Sequence, residues 1–554
     1  MTLRVLRAPG NDGGLLTEPP FGSVPEVMAA NRSFLATWNH DFQGRTAIQL
    51  RSQVRREALA LATAFLRNHG LREPHVPGGA AGEPAGPLVV TGHQPELFHP
   101  GVWVKNFAMA GIAAAHRGTA LNLIVDNDLP KSTSVRVPRL EGGLVRTSRV
   151  DFDRWGGEVP FEDLRVQDQE LFASFADRVK ERMQSAVPDP VLDDFWPRAM
   201  RRRSETASPG LRFALARREI EAEWGTSNFE VPLSAVCETE GFYWFVCHLL
   251  ARLPAYLEIH NAALAEYRLA HGIRSKNHPV SALAVQGQWL EAPFWIWRRE
   301  NPRRRGLLAR LREREIDLRI AGENEILITL PLGPDREACC AVDRLRELPG
   351  QSVRLRTRAL TTTLFSRFLL GDLFIHGIGG SKYDELGDEI ARRFFGIEPP
   401  AFLTVSLTLW LGLSLPTTHA DPAEFEQRLR SLRHNPDRHF REPYADELRS
   451  LVRQKQELIA APVSTHRERQ NRCLGIRACN EAMQPWVRGL TADLFERRSM
   501  ARARQQSVRL AKSREFAFVI HSADKLKRTF DSVVRTIVEP NPRGSGSSAA
   551  TSPG

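Results

Sequence analysis

Polar and ionisable residues crowd one short segment that lies between an apolar run and a predicted helix. The stretch LVVTGHQPELFHPGVWV places His93, Gln94, Glu96 and His99 within seven positions. A connection that only had to reverse the chain would use glycine, asparagine or serine. Paired histidines can instead stabilise negative charge on a transferring group or exchange protons with it. This segment is therefore the first candidate for an active site.

The residues around this loop predict a strand, a helix and a second strand. Residues 88–91 are apolar and largely β-branched, and Val104, Phe107 and Ile112 recur at helical spacing. Residues 120–125, ALNLIV, predict another buried strand. A crossover of this length joins parallel strands in a right-handed sense. The loops that follow the two strands must then emerge at the same carboxyl edge of the sheet.

The loop after the second strand is acidic, with Asp126, Asn127 and Asp128 in succession. Ligands of open α/β sheets bind at the carboxyl ends of the strands, so we expect these side chains to face the first loop. In this hypothesis His93 and His99 stabilise developing negative charge or exchange protons. The glutamine and glutamate of the first loop orient the substrate, and the two aspartates bind an amine or a metal ion.

Other interpretations of the same residues stay open. His93, His99, Asp126 and Asp128 form a ligand set suited to zinc or manganese, which predicts a metal-dependent hydrolase. A structural role, in which these side chains satisfy loop backbone groups, is a second alternative. A third is a non-catalytic nucleotide-binding module whose helical C-terminal region binds a partner.

A second unit follows the same order of elements later in the chain. A strand at 371–376 precedes a glycine-rich turn, a helix and a further strand. Gly379, Gly380, Ser381 and Lys382 fall at the predicted start of that helix. Backbone N–H groups at a helix start bind anions, so the turn predicts a phosphate or anion site. The alternative is a tight turn whose lysine faces water.

Three motifs together resemble the cysteine ligases of bacillithiol biosynthesis. They are TGHQ at 91–94, DND at 126–128 and FIHGIGGSKYDELGDEIARRFFGIEPPAFLTVSLTL at 374–409. Members of that family carry Thr-Gly-Gln-Gln after the first core strand, an Asp-His-Asp type run after the next, and a later Tyr-Val-Gly-Gly turn. This chain has His93 in place of the first glutamine and Asn127 in place of the histidine.

The resemblance implies an α/β fold with a Rossmann-like parallel sheet core and a C-terminal helical, coiled-coil-like region that pairs two subunits as a homodimer. It also implies an enzyme that joins the carboxyl group of cysteine to an amine of an amino-sugar conjugate. ATP or another nucleotide is the cofactor we consider, by analogy with nucleotidylyl transferases. The candidate catalytic residues are His93, Gln94, His99, Asp126 and Asp128, and the candidate substrate- or anion-binding residues are Thr91, Gly92, Glu96, Asn127, Gly379, Gly380, Ser381 and Lys382.

Composition limits the class of protein. The chain has 554 residues, a length that predicts two or three domains. Its net charge is +11. The basic excess has no aromatic interleaving and no nucleic-acid-binding signature, so we expect a small-molecule substrate and no nucleic-acid partner. Six cysteines form no disulfide framework, and no segment has the length of a membrane span. A cytoplasmic protein with no membrane partner is the expectation.

Composition also shifts along the chain and predicts its organisation. Residues 1–85 form a helical appendage and linker, and 86–415 the α/β core with a mixed insertion at about 131–350. Residues 416–537 form the helical region, and 538–554 a disordered tail. The basic run at 298–306 predicts a solvated loop or anion contacts. A second-substrate pocket in the insertion would draw on Glu240, Asn261, Tyr267, Arg268, Asn277, His278, Trp295 and Trp297.

Overall fold

The chain folds as a mixed α/β protein with a helical region towards its C-terminus, as a computed structural model shows. The structure describes residues 6–74, 86–184, 186–273, 280–413, 421–443 and 445–539. The predicted linker at 75–85, Asn277 and His278, and residues 540–554 of the predicted tail lie outside these ranges.

Fourteen strands and eighteen α-helices are present in the described ranges. The strands are β1 Gly14–Glu18, β2 Leu88–His93, β3 Thr119–Ile124, β4 Ser134–Glu141, β5 Leu144–Asp151, β6 Phe229–Pro232, β7 Val285–Gln286, β8 Trp289–Arg298, β9 Asn301–Leu311, β10 Ile316–Ile320, β11 Ile328–Leu330, β12 Val353–Thr357, β13 Leu373–His376 and β14 Leu403–Thr408. The helices are α1 Val24–Thr37, α2 Ala47–Asn68, α3 Pro100–Ala115, α4 Gln169–Ala173, α5 Phe175–Met183, α6 Leu192–Arg201, α7 Pro209–Glu223, α8 Leu233–Val236, α9 Glu240–Ala251, α10 Leu253–Ala270, α11 Cys339–Leu345, α12 Ala359–Phe365, α13 Ile378–Phe395, α14 Pro422–His434, α15 Asp446–Ala460, α16 His466–Ala482, α17 Gln484–Ala511 and α18 Ala523–Val538. Within the described ranges, none of these helices has the length and apolar character that a membrane crossing requires.

Six strands form a central sheet in the order β1-β14-β13-β2-β3-β6. The five strands from β14 to β6 run parallel to one another, and β1 pairs antiparallel with β14 at one edge. Both predicted strand–helix–strand units are confirmed, as β2-α3-β3 and β13-α13-β14. The loops after β2, β3, β6 and β13 consequently open at one edge of the sheet.

Helix α3 is buried on almost every side because it packs between the sheet and α18. Pro100 occupies its first turn, where a missing N–H costs nothing. Gly101 is required there, since a Cβ would lie 2.2 Å from the carbonyl oxygen of Leu407. Lys105 lies within this otherwise apolar helix and is 3% exposed.

The N-terminal segment is part of the core and not an appendage, which corrects the predicted boundary at residue 85. Strand β1 completes the sheet, and α2 packs against β6 and α9. Arg51 and Arg55 of α2 reach Asp372, which precedes β13, at 2.8 and 3.1 Å. The helical pattern of this segment was clear, but its docking depends on contacts with residues more than 300 positions away.

The predicted insertion at 131–350 also supplies part of the central sheet. Strand β6, with the sequence FEVP, pairs parallel with β3. This strand was not predicted, because four residues of mixed polarity are too few to show the alternation that indicates a strand. A second, antiparallel sheet of order β11-β10-β9-β8-β12 fills the later part of this region, and β7 pairs with β8.

The chain divides into two units by its internal contacts. The first contains 1–137, 149–411 and 514–554, so α18 belongs with the core and not with the predicted helical region at 416–537. The second contains 138–148 and 412–513. In this second unit α14 packs with α17 and α15 with α16. Asp421 caps α14 by accepting a hydrogen bond from the N–H of Ala423.

Candidate functional site

A cavity of about 380 Å³ opens at the carboxyl ends of β3 and β6, and its volume is that of a small-molecule site. The loop after β3 forms one wall. This loop is fixed by backbone hydrogen bonds from Glu162 N–H to the Asp126 carbonyl (2.8 Å) and from Phe161 N–H to the Asp128 carbonyl (3.0 Å). The ionisable or hydroxyl side chains of the lining are Asp126, Glu162, Asp163, Thr206, Ser208, Ser234, Glu238, Arg299, Arg354 and Arg356.

Asp126 is the predicted catalytic residue that this cavity contains. It is 8% exposed and accepts two hydrogen bonds from Ser234, from the backbone N–H at 2.8 Å and from the hydroxyl at 2.5 Å. Burial, and then the neighbouring Glu162, raise its pKa to about 7, which outweighs the opposite effect of the bonds from Ser234. The carboxyl group can therefore take up and release a proton near neutral pH.

A buried guanidinium organises the acids beside Asp126. Arg356 is 2% exposed and donates to both oxygens of Glu162, at 2.9 and 2.7 Å, and to Glu238 at 2.8 Å. Burial raises the pKa of Glu162 although Arg356 opposes the shift. Arg354 also contacts Glu238, at 3.2 Å. Carboxylates and guanidiniums thus alternate along one wall.

Arg299 adds a cation at the rim of the cavity. Its side chain is exposed and has no hydrogen-bond or ion-pair partner among the described residues. Its backbone N–H is held by the Ser352 carbonyl at 2.8 Å, so the position of its Cα is fixed while the guanidinium remains free for a ligand.

The loop after β2 does meet the loop after β3, as the parallel arrangement predicted. Gln94 donates to Asp128 at 2.7 Å, and Asp128 also accepts from Arg304 at 2.8 Å. Glu96 lies 3.8 Å from Lys131, and burial raises its pKa. Gln94 and Glu96 line a cavity of only about 20 Å³, which is enough for one water molecule.

Burial favours the neutral form of both candidate histidines, so neither ring brings a positive charge to the predicted role of stabilising negative charge. Desolvation, with Lys105 nearby, holds the pKa of His93 well below its usual range. The ring of His93 contacts the Gln94 carbonyl at 3.0 Å through Nδ1. Burial lowers the pKa of His99 to about 3.

His99 is the N-cap of α3, because its Nδ1 accepts from the Gly101 N–H at 3.1 Å. We expect His99→Ala to lower the free energy of unfolding by about 0.5–2 kcal/mol, the usual cost of a lost cap. His99→Asn, which keeps a capping acceptor, should retain most of that stability in urea unfolding. Equal losses in the two variants would show that capping is not the role of this side chain.

The metal-ligand alternative does not fit this geometry. Across the described residues, no group of three or more His, Cys, Asp or Glu side chains is arranged to hold a metal ion. His99 caps a helix, Asp126 is bonded to Ser234, and Asp128 is shared by Gln94 and Arg304.

The predicted anion-binding turn is the first turn of α13. Strand β13 ends at His376 and the helix begins at Ile378, so Gly379, Gly380, Ser381 and Lys382 are all helical. Ser381 is buried and bonds to the Gly377 carbonyl (3.0 Å) and the Thr404 hydroxyl (2.6 Å). Lys382 is exposed, and none of these four residues lines the 380 Å³ cavity.

Three more predicted binding residues hold the fold together. Thr91 is fully buried and donates to the Ile375 carbonyl at 2.8 Å, which joins β2 to β13. Asn127 donates to the Thr357 carbonyl at 3.1 Å. Gly92 has its carbonyl bonded to the Lys105 ammonium at 2.8 Å.

Several functional candidates were missed in the sequence. Burial lowers the pKa of Lys105 to about 7, and a lysine inside an apolar helix was a usable signal. His376 contacts Asp384 at 2.8 Å, and Arg367 contacts the same carboxylate at 2.6 Å. Nothing in the local sequence of Glu162 or Arg356 indicated that they meet, because 194 positions separate them.

No protein-family model matches this chain. No curated protein matches it either.

Proposed function

We propose that the protein is a carbon–nitrogen ligase or transferase that joins an amino acid, or a similar acyl group, to an amine-bearing small molecule. The proposed site is the 380 Å³ cavity at the carboxyl ends of β3 and β6. One observation carries the proposal: Asp126, a buried carboxyl group with a pKa of about 7, lies in this cavity beside both carboxylates and guanidiniums.

A Rossmann-like core is part of this proposal. Numbered along the chain, the parallel strands β2, β3, β6, β13 and β14 lie in the order 3-2-1-4-5, which is the doubly wound order. Such sheets bind ligands at the carboxyl edge, nearest to the point where the order reverses. Here that point lies between β2 and β13, and the Lys105 side chain reaches the end of β2. The proposed cavity lies farther along the same edge.

The charges of the cavity suit a zwitterionic amino acid. A free amino acid presents a carboxylate and an ammonium group a few ångströms apart. Arg299 is a free cation at the rim for the carboxylate. Glu238 is an exposed acid whose Oε1 accepts from Arg354 and Arg356, and its other carboxylate oxygen is the proposed acceptor for the ammonium group. Charge-assisted hydrogen bonds of this kind are about twice as strong as neutral ones. The resemblance makes cysteine the first amino acid to test.

Asp126 has the properties of a general base for the bond-forming step. An amine attacks an activated acyl carbon only after, or while, it loses an N–H proton. In the proposed step this proton passes to the Asp126 carboxylate, the C–N bond forms, and the leaving group departs from the acyl carbon. A base is most effective when its pKa lies near the working pH. The two hydrogen bonds from Ser234 hold the carboxylate in one orientation.

The test is amino-acid-dependent exchange of labelled pyrophosphate into ATP, followed by consumption of an added amino sugar. We expect one amino acid to support exchange. Arg299→Met should raise the KM for that amino acid about 10- to 100-fold, the effect of one charged hydrogen bond. Arg314→Met removes an equally exposed cation outside the cavity and should leave this KM unchanged.

Two results would overturn the proposal. One is the absence of both exchange and amine consumption with all twenty amino acids. The other is an equal increase in KM for Arg299→Met and Arg314→Met, since a general loss of positive charge would then explain the effect.

A further inference from the structure

A second cavity, of about 610 Å³, lies on the antiparallel sheet of the first unit and is lined by three consecutive arginines. Arg303, Arg304 and Arg305 come from the start of β9. The turn after β10 and Trp295 of β8 complete the walls. Among the residues that the structure describes, none lines both this cavity and the 380 Å³ cavity.

The three arginines follow one another on a strand whose pairing with β8 is irregular. Side chains normally alternate between the two faces of a strand, so neighbours should point apart. The pairing of β8 with β9 shifts register between Ala292 and Trp295 and again between Ile296 and Arg298. Such bulges redirect side chains and are common next to functional sites.

The central arginine is held in place by Asp128 and by Trp295 of the cavity wall. Arg304 is bonded to Asp128 at 2.8 Å, and its guanidinium lies 5.0 Å from the centre of the Trp295 ring. The guanidinium of Arg358 lies 4.1 Å from the same ring. The Nε atom of Arg304 is buried and finds no hydrogen-bond partner in the part of the chain that the structure describes. A preorganised cation costs less entropy when it binds a ligand than a mobile one.

The two outer arginines retain binding capacity. Arg303 is exposed and has no partner among the described residues. Arg305 donates one N–H to the Ala321 carbonyl at 3.2 Å, and its other side-chain N–H groups have no partner within the described ranges. Gly322 makes room for this guanidinium: its φ is +86°, and a Cβ there would lie 2.6 Å from Nη1 of Arg305.

The charge of the cavity is strongly unbalanced. Among the described residues of its lining, Glu158 is the one acid against three guanidiniums, and the guanidinium of Arg304 is also paired with Asp128 at 2.8 Å. Guanidinium groups form paired, parallel hydrogen bonds to phosphate oxygens, which favours phosphate over small monovalent anions. A volume of about 610 Å³ exceeds what a single phosphate needs. Arg303 and Arg305, which have no ion-pair partner among the described residues, flank Arg304 in this space and match a chain of two or three linked phosphates.

We propose that this cavity binds the di- or triphosphate group of a ligand through Arg303, Arg304 and Arg305. Both a nucleotide and an inorganic oligophosphate carry this chemistry. The loop 126–130 connects the two cavities, because Asp126 lines one and Leu129 lines the other. A bound oligophosphate would therefore lie against the loop that carries Asp126.

Calorimetric titration of the full-length protein tests this binding without any turnover. The probes are inorganic tripolyphosphate, ATP and adenosine, each at about 50 and 200 mM salt. We expect tripolyphosphate and ATP to bind, adenosine to fail, and the affinity of the two anions to fall with salt. The double variant R303Q/R305Q should raise both Kd values at least about tenfold, because it removes two charged hydrogen-bond donors.

The matched control is R314Q/R336Q, which removes the same charge from exposed positions outside the cavity. This control should keep both Kd values within about twofold, since exposed charges at a distance are screened. Binding of ATP but not of tripolyphosphate, no binding of either anion, or equal weakening in both double variants would each overturn the proposal. Because no amino acid is present in the titration, its failure is distinct from failure of the proposed ligase reaction.

Discussion

Replacing Asp126 by asparagine is expected to lower kcat of the proposed reaction by about 10²- to 10⁴-fold, the usual contribution of a general base. The amide has nearly the same shape and can keep a hydrogen bond from the Ser234 N–H. It cannot accept the proton of the attacking amine. The KM for the amino acid should change little, because Arg299, and not Asp126, is the residue proposed to bind the carboxylate of the amino acid. Steady-state kinetics at pH 8 give both quantities.

The pH profile separates a catalytic role from a structural one. In the wild type, kcat should increase as the pH rises through the Asp126 pKa of about 7. Asp126→Asn should show no such increase. Asp153→Asn is the control: Asp153 is 3% exposed, accepts backbone N–H bonds and lies outside the 380 Å³ cavity. A wild-type profile retained in Asp126→Asn, or an equal loss of kcat in both variants, would contradict the role of Asp126 as base.

The raised pKa of Asp126 makes the free energy of unfolding depend on pH. The folded state raises the pKa of Asp126 above its unfolded value, so it favours the protonated carboxyl. The contribution of Asp126 to the free energy of unfolding is thus complete below the unfolded pKa of about 4 and is lost as pH rises to about 7. Urea unfolding across this range should show that decrease in the wild type and a smaller one in Asp126→Asn.

Replacing Arg217 by methionine should destabilise the fold by about 3–5 kcal/mol, the cost of breaking a buried ion pair on one side. Arg217 is 6% exposed and contacts Glu221 at 2.6 Å and Glu230 at 2.8 Å, and both carboxylates are fully buried. Burial already raises the pKa of Glu230 despite the attraction of Arg217. Without that cation, two buried acids must stay charged or take up protons. Urea unfolding measures the loss.

Neutralising Glu230 in addition to replacing Arg217 should recover part of the lost free energy of unfolding. R217M/E230Q leaves only Glu221, which keeps bonds from Trp103 at 2.6 Å and Asn106 at 2.8 Å. Arg393→Met is the control, because it breaks the ion pair between Arg393 and Glu266, in which the arginine side chain is 31% exposed. Loss of such an exposed pair should lower the free energy of unfolding by about 1 kcal/mol or less. If the double variant is no more stable than R217M, lost packing and not uncompensated charge explains the effect.

Most of the architecture around the site follows from local sequence signals. Apolar runs and helical spacing predicted β2, α3, β3, α13 and β14, since these elements satisfy their pattern within a few residues. The parallel arrangement then placed Gln94 near Asp128, and they are hydrogen-bonded. Strand β6 was not predicted, and neither was the return of α18 to the core. A four-residue strand has almost no periodicity, and docking depends on a surface that other segments create.

The sequence by itself determined which residue types gather at the carboxyl edge of the sheet, and it singled out Asp126. Only the tertiary structure decided what each of them does. His99 caps helix α3, and Thr91 links strands β2 and β13. Asp126 is instead a buried carboxyl group whose pKa is raised. The physical reason is that a side chain acquires its protonation state from burial and from neighbouring charges. Here those neighbours, Glu162 and Arg356, are distant in sequence and meet only in the folded chain.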